Sequence, residues 1–332
     1  MSVVICAYTE RRWQDLCESV QSVLEQTLLP QQLILVIDHN DVLLQRSRHR
    51  FGRLDPTGMS VSVIANAHTQ GLSGARNTAV EVAHGDVLAF LDDDACADPR
   101  WLESLAGHYD GEHVMGVGGS AQPRWPAGEG RPAMLPTPRG SERGELDWVV
   151  GCTYEGLPLQ AATVRNLMGC NMSMRASAFA AAGHFSENLG RIGNTPLGCE
   201  ETEMCIRISQ VIPGASFVFE PRARVAHRVG PDRLTWSYLF SRCYAEGVSK
   251  AAVSRMVGQD AALSSERRYV TTVLPAAVLR EVTHLTPRHL MGAGALVAAT
   301  AVTVAGYIRG KASRYDPAQT RNQHLRAHVS AA

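Results

Sequence analysis

A chain of 332 residues can bury one large core, or one domain with an appendage. Its 32 Lys and Arg balance its 32 Asp and Glu, which leaves no electrostatic case for nucleic-acid binding. Eight cysteines, at positions 6, 17, 96, 152, 170, 199, 205 and 243, include no Cys-x-x-Cys pair, so the pattern argues against structural zinc and for reduced thiols in a cytosolic protein.

The chain opens on an apolar strand at residues 2–8 with no basic leader, which reads as the lack of a signal peptide. Residues 13–26 follow as a helix, with Leu16, Val20, Val23 and Leu24 at helical spacing. Residues 32–37 form a second buried strand ending in Asp38, and 61–65 a third. A loop containing Gly71 and Gly74 leads into a helix at 75–84, then into the apolar strand 87–91 behind the turn signal Gly85-Asp86. This alternation predicts an α/β protein with a doubly wound, mostly parallel sheet, whose ligands bind beyond the carboxyl ends of the strands. Asp38, the 71–76 loop and the run Asp92-Asp93-Asp94 all fall at such ends.

The second half is less regular. Residues 122–145 are rich in Pro and Gly and read as a long excursion, often a functional lid. A strand at 216–220 and helical patterning from Leu234 follow, and the polar tail 316–332 is expected to be disordered. No internal repeat is present. The 19 residues 290–308 carry no charge and are flanked by Arg288 and His289 before and Arg309, Lys311 and Arg314 after. That length approaches a membrane span, but Ala, Gly, Val and Thr are weakly apolar. Spanning, lying on a membrane, packing in an oligomer and packing in a core all remain open, and the basic flanks favour an anionic inner leaflet.

Three carboxylates at the end of a buried strand repel one another and lose hydration, a conflict that a divalent cation carrying a diphosphate would remove. Hard oxygen ligands suit Mg²⁺ or Mn²⁺. A solvated acidic turn is the plain alternative.

Six motifs in order resemble inverting family 2 glycosyltransferases of the GT-A fold: Val3-Val4-Ile5-Cys6-Ala7-Tyr8-Thr9, Leu35-Val36-Ile37-Asp38, Gly71-Leu72-Ser73-Gly74-Ala75-Arg76-Asn77, Phe90-Leu91-Asp92-Asp93-Asp94, Gly169-Cys170-Asn171-Met172-Ser173 and Gly198-Cys199-Glu200-Glu201-Thr202-Glu203. The resemblance covers about residues 1–250. It implies a GT-A domain over 1–230; the helical patterning beyond it sets off a C-terminal region over 231–315, for which the 290–308 stretch keeps membrane association among the open readings. It also implies donor contacts from Thr9, Asp38, Gly74, Arg76, Asp92 and Asp93, with Arg76 close to the diphosphate or base. The implied metal ligands are Asp94 and His227, the acceptor contact Asn171, and the cofactor Mn²⁺ or Mg²⁺. Glu201 takes the place of the base that accepts the acceptor hydroxyl's proton, with Glu200 beside it. Glutamate stands there in place of the common aspartate. The implied partners are a nucleotide sugar, UDP-sugar favoured, and a saccharide, lipid-linked or small-metabolite acceptor at the cytosolic face of the membrane.

Other classes find less support. Gly116-Val117-Gly118-Gly119 lacks the dinucleotide spacing and does not follow the first strand. An aspartate-based phosphoryl hydrolase would place its pair on the first strand, and a nucleotidyltransferase would want a Gly- and Lys-rich first strand. A GT-A module that binds nucleotide sugar without turnover is opposed only by the intact Glu200-Glu201 pair.

Overall fold

A computed structural model describes residues 1–54, 58–138, 143–191 and 197–312. The expected tail at 316–332 and positions 139–142 of the Pro/Gly excursion lie outside the described residues. Strands β1 (Ser2–Ala7), β2 (Gln32–Ile37), β3 (Ser60–Ala65) and β4 (Val87–Asp92) pair in parallel in the order β3-β2-β1-β4. β1 and β2 are apolar after their first residues, Ser2 and Gln32, because parallel strands are covered on both faces. Val3, Ile5, Leu33, Leu35, Ala89 and Leu91 face one core with helices α1 (Trp13–Leu24) and α2 (Asp41–Phe51). Val4, Ile34, Val36, Leu88 and Phe90 face the other, beneath α3 (Leu72–Val82).

This half follows the expected alternation. The remainder makes the sheet a mixed one. β5 (Ala95–Ala97), β6 (Val114–Arg124), β7 (Ala162–Val164), β8 (Asn171–Arg175) and β9 (Ser216–Arg228) extend it to the order β3-β2-β1-β4-β8-β6-β9-β5, with β7 beside β9. β8 runs antiparallel to both β4 and β6, and β9 runs parallel to β6. The run Gly116 to Gly119 lies inside β6, where the missing side chains make room for neighbours. A Cβ on Gly116 would stand 2.8 Å from the Ser173 carbonyl oxygen. Helices α4 (Trp101–Ala106), α5 (Ala176–Ala182) and α6 (Glu200–Val211) cover this half.

The C-terminal helices α7 (Trp236–Val257), α8 (Gln259–Arg268), α9 (Leu274–Thr283) and α10 (Pro287–Ala312) form a further layer. Leu239, Cys243, Leu274, Leu296 and Ala299 share a core with Met134, Leu135, Leu146, Val149 and Val150. Met134 and Leu135 of the Pro/Gly excursion are therefore packed against these helices. α10 crosses α7 closely at glycines: a Cβ on Gly306 would collide with the Tyr244 carbonyl oxygen, and one on Gly247 with that of Thr303.

Candidate active site

β4 ends at Asp92, and a two-residue turn holding Asp93 and Asp94 leads into β5. Pairing of β5 with β9 sets Ala95 opposite His227, and Arg228 N–H donates to the Asp94 carbonyl at 2.8 Å. That register brings residue 227 to the acidic turn. His227 Nε2 stands 3.3 Å from Asp94 Oδ1, while its Nδ1 lies 4.0 Å from Cys152 Sγ. Gly151, at φ +84°, lets the chain pass the imidazole, since a Cβ there would stand 2.9 Å from Cε1. Ligand atoms of Asp92, Asp94 and His227 lie within 4.8 Å of one another.

Two arginines face the same carboxylates. Arg12 Nη1 lies 2.9 Å from Asp93 Oδ1 and 2.7 Å from Asp94 Oδ2, and Arg233 Nη2 lies 3.5 Å from Asp94 Oδ2. Burial opposes the charge on Asp94, but His227, Arg12 and Arg233 together hold its carboxyl well below the usual range. Burial pushes Asp93 up to about 8; Arg12 opposes the rise, and repulsion from Asp94 and Asp92 adds to it. Asp93 Oδ2 and Asp94 Oδ1 are buried oxygens without a hydrogen-bond donor. Such oxygens are costly when left unpaired, and the carboxylates of Asp92 and Asp94 with the His227 imidazole make a donor set that fits Mn²⁺.

On the opposite wall, Cys199 takes the left-handed φ of +70° and turns the chain into α6. This presents Glu200 and Glu201 at the helix start. Glu200 is buried and accepts a 2.8 Å hydrogen bond from Arg76 Nη1, while Arg76 Nη2 donates to the Gly169 carbonyl at 2.9 Å. Arg76 Nη2 also lies 3.7 Å from Asp92 Oδ1, so one buried guanidinium ties the two acidic clusters together. Glu201 is half-buried and lines the cleft. Burial, then repulsion from Glu200, pushes its carboxyl up to about 8. Downstream, Arg207 Nε pairs with Glu203 Oε1 at 2.7 Å, as the four-residue spacing predicts.

A single cleft of about 1300 Å³ is lined by Thr9, Asp38, Arg76, Asp92, Asp93, Asp94, Glu200, Glu201 and His227. Two expected contacts lie off it. Asn171 is fully buried: its Nδ2 donates to the carbonyls of Ser120 and Ala223 at 3.0 and 2.9 Å, and its Oδ1 accepts from Trp101 Nε1 at 2.7 Å. No polar atom of that side chain is left for an acceptor. Gly74 belongs to the first turn of α3, where a Cβ would collide with the Thr69 carbonyl oxygen. Asp38 does line the cleft, but it also ties loops together, accepting from Asn66 Nδ2 at 2.7 Å and from Gly71 N–H at 2.9 Å.

Arg12 and Lys250 carry no motif that would mark them in the sequence. Arg242 pairs with Glu246 at 2.8 Å and lies over Trp148, a cleft residue. Lys250 joins Glu266 at 2.6 Å, and Arg165 meets Glu266 at 2.5 Å.

The mixed sheet, with an acidic turn at its central strand facing an acidic helix start across one cleft, has the architecture of a GT-A glycosyltransferase. The family model for glycosyl transferase family 2 matches residues 2–182, more than half of the chain, and the chain belongs to that family. It is 33% identical over 260 residues to glucosyl-dolichyl phosphate glucuronosyltransferase of Haloferax volcanii, covering 78% of this chain and 79% of that protein. Among solved structures it resembles a mannosyltransferase of Pyrobaculum calidifontis in complex with GDP-Man and Mn²⁺, with a TM-score of 0.57 at 13% identity, over 92% of this chain and 86% of that one. It also resembles GalNAc-T7 with UDP, GalNAc and Mn²⁺, with a TM-score of 0.51 at 16% identity, over 86% of this chain. The match spans 58% of that longer protein.

Proposed function

We propose that the protein transfers a glycosyl group from a nucleotide sugar, UDP-sugar favoured, to an acceptor hydroxyl with inversion at the anomeric carbon. The observation that carries this reading is the placement of Glu201, a half-buried carboxylate with a raised pKa, in the same cleft as Asp92, Asp94 and His227. Glu200 is engaged by Arg76, which leaves Glu201 as the carboxylate open to the cleft.

In this reading Glu201 takes the acceptor hydroxyl's proton as the oxygen bonds to the anomeric carbon. The bond from that carbon to the diphosphate oxygen breaks, and the nucleoside diphosphate leaves with the electron pair. A single displacement of this kind inverts the centre. A pKa near the working pH suits a general base. Asp92, Asp94 and His227 would hold Mn²⁺ or Mg²⁺, which acts as a Lewis acid toward the diphosphate when bound. Arg12 and Arg233 stand beside those carboxylates and add positive charge where the leaving group gains negative charge. Thr9 and Asp38, at the ends of β1 and β2, are positioned for the nucleoside.

The Haloferax relative's name specifies a glucosyl-dolichyl phosphate acceptor, which favours a lipid-linked saccharide over a small metabolite. The test is incubation with UDP- and GDP-sugars, each with Mn²⁺ and a lipid-linked saccharide. Release of UDP or GDP identifies the donor nucleotide, and proton NMR of the product reads the anomer. A product that retains the donor's configuration would overturn the single displacement.

A further inference from the structure

α10 has two unlike faces. Gly292, Ala295, Leu296, Ala299, Gly306 and Gly310 are buried, whereas Leu290, Gly294, Val297, Ala301, Val304 and Ile308 recur at helical spacing on the outside. Val297 is 58% exposed and Ile308 61%. α7 continues this surface with Trp236, Phe240 and Tyr244, four residues apart and exposed, the first two rings 5.6 Å from each other. Tyr244 lies where α7 and α10 touch, at Gly306. α9 adds Leu279, Val282 and, just past its end, Leu285. Exposed apolar surface of this extent marks a partner.

Charge identifies the partner. α10 carries three basic residues, Arg288, Arg309 and Lys311, and no acid. Ahead of it, Arg280 is paired with Glu145 and the buried Glu281, and Arg267 with Asp260. Arg288 stands before the uncharged stretch, and Arg309 and Lys311 follow it, all exposed. An apolar face with aromatic residues and a basic margin is the composition of an interfacial helix on anionic lipid. We infer that the outer face of α7, α9 and α10 docks in the plane of an anionic bilayer.

α10 is long and apolar enough to cross a membrane, but its packing forbids that. It lies along α7, whose Arg242, Glu246 and Lys250 line the cleft, so a spanning α10 would drag those charges into hydrocarbon. Flat docking keeps them in the protein. Thr300, Thr303 and Tyr307, on one flank of α10, and Val304, at the edge of its outer face, line the cleft. Docking therefore sets the cleft beside the headgroups, where a lipid-borne acceptor enters; this consequence rests on the transferase reading, while the docking does not.

Full-length protein is sedimented with vesicles of phosphatidylcholine alone and of phosphatidylcholine mixed with phosphatidylglycerol. It binds the mixed vesicles more tightly, and added salt weakens the binding. Val297→Glu with Ile308→Glu, both outside the cleft, weakens binding at least about tenfold while the thermal midpoint and Mn²⁺-dependent UDP binding stay as in the wild type. Arg309→Glu with Lys311→Glu removes the preference for phosphatidylglycerol. The inference is overturned if the wild-type protein binds neither vesicle, or if the Val297/Ile308 variant binds both as the wild type does. A wild-type dimer that this variant dissociates would assign the face to a second copy. Retention in cell membranes after an alkaline wash would mean that α10 spans. The vesicle readouts and the thermal midpoint are independent of donor binding and sugar transfer, so a failed transferase reading leaves the test intact.

Discussion

Arg76 and Glu200 are joined by a 2.8 Å hydrogen bond across 124 residues, and both side chains are buried. The pair connects α3 to the start of α6, and Arg76 reaches toward Asp92 as well. Its guanidinium thus holds the two acidic walls of the cleft at a set separation. Breaking a buried pair leaves an uncompensated charge, at a cost of about 3–5 kcal/mol. Arg76→Met should lower the denaturant midpoint accordingly, and Glu200→Gln in that background should recover part of the loss. Strict additivity of the two substitutions would show that the residues do not act as a pair.

Asn171 is a separate case. The family pattern implies an acceptor contact, but the side chain crosslinks β8 to β6, β9 and α4. Asn171→Ala leaves the Trp101 indole N–H and two carbonyls unpaired, at about 1–3 kcal/mol for each group left dry. The expected result is a lower unfolding midpoint with the acceptor KM unchanged. An unchanged midpoint with a raised acceptor KM would return Asn171 to the cleft.

The parallel half of the sheet was legible because buried strands and amphipathic helices alternate there at short spacing. β6 was not, because its run of glycines packs against Ser173, Phe217 and Ala223, and such close approach leaves no periodicity to read. α2 escaped notice as well, its surface being mostly polar. Within the site, the acidic turn stands out because adjacent carboxylates at the end of a buried strand need a physical reason, whereas the Glu200-Glu201 pair is legible only through its place in the family motif. Arg12 does not stand out, since only the fold brings residue 12 against residue 94. Arg76 was legible as a cleft residue, while its engagement by Glu200 depends on a contact far away in sequence.

Metal binding should be coupled to the nucleotide. Asp94 Oδ1 is buried without a donor and faces His227. Mn²⁺ with UDP should raise the thermal midpoint more than either alone, since a ligand that binds only the folded state at about 100 times its Kd adds about 2.7 kcal/mol. EDTA should abolish the combined increment, and so should Asp94→Asn or His227→Ala. A full shift with UDP in EDTA would show that Arg12 and Arg233 suffice for the diphosphate.

The pH dependence follows from Glu201. Its carboxyl titrates at about 8 in the folded protein because burial and Glu200 disfavour the charge, against 4.5 for an ordinary glutamate. The base works only when deprotonated, so kcat/KM should rise with pH up to about 8 and then level off. Stability runs the other way. Between 4.5 and about 8 the folded protein keeps a proton that the unfolded chain has released. This group's contribution to stability therefore falls as pH rises through that window. Glu201→Gln should remove that slope, leave Mn²⁺-dependent donor binding intact and lower transfer by about 10²–10⁴-fold. Glu201→Asp, which keeps a carboxylate one methylene shorter, should retain a pH-dependent residue of activity. Transfer by the Gln variant at the wild-type rate, with the same rise near pH 8, would assign the base to another group, and Glu200 is the neighbouring carboxylate to test.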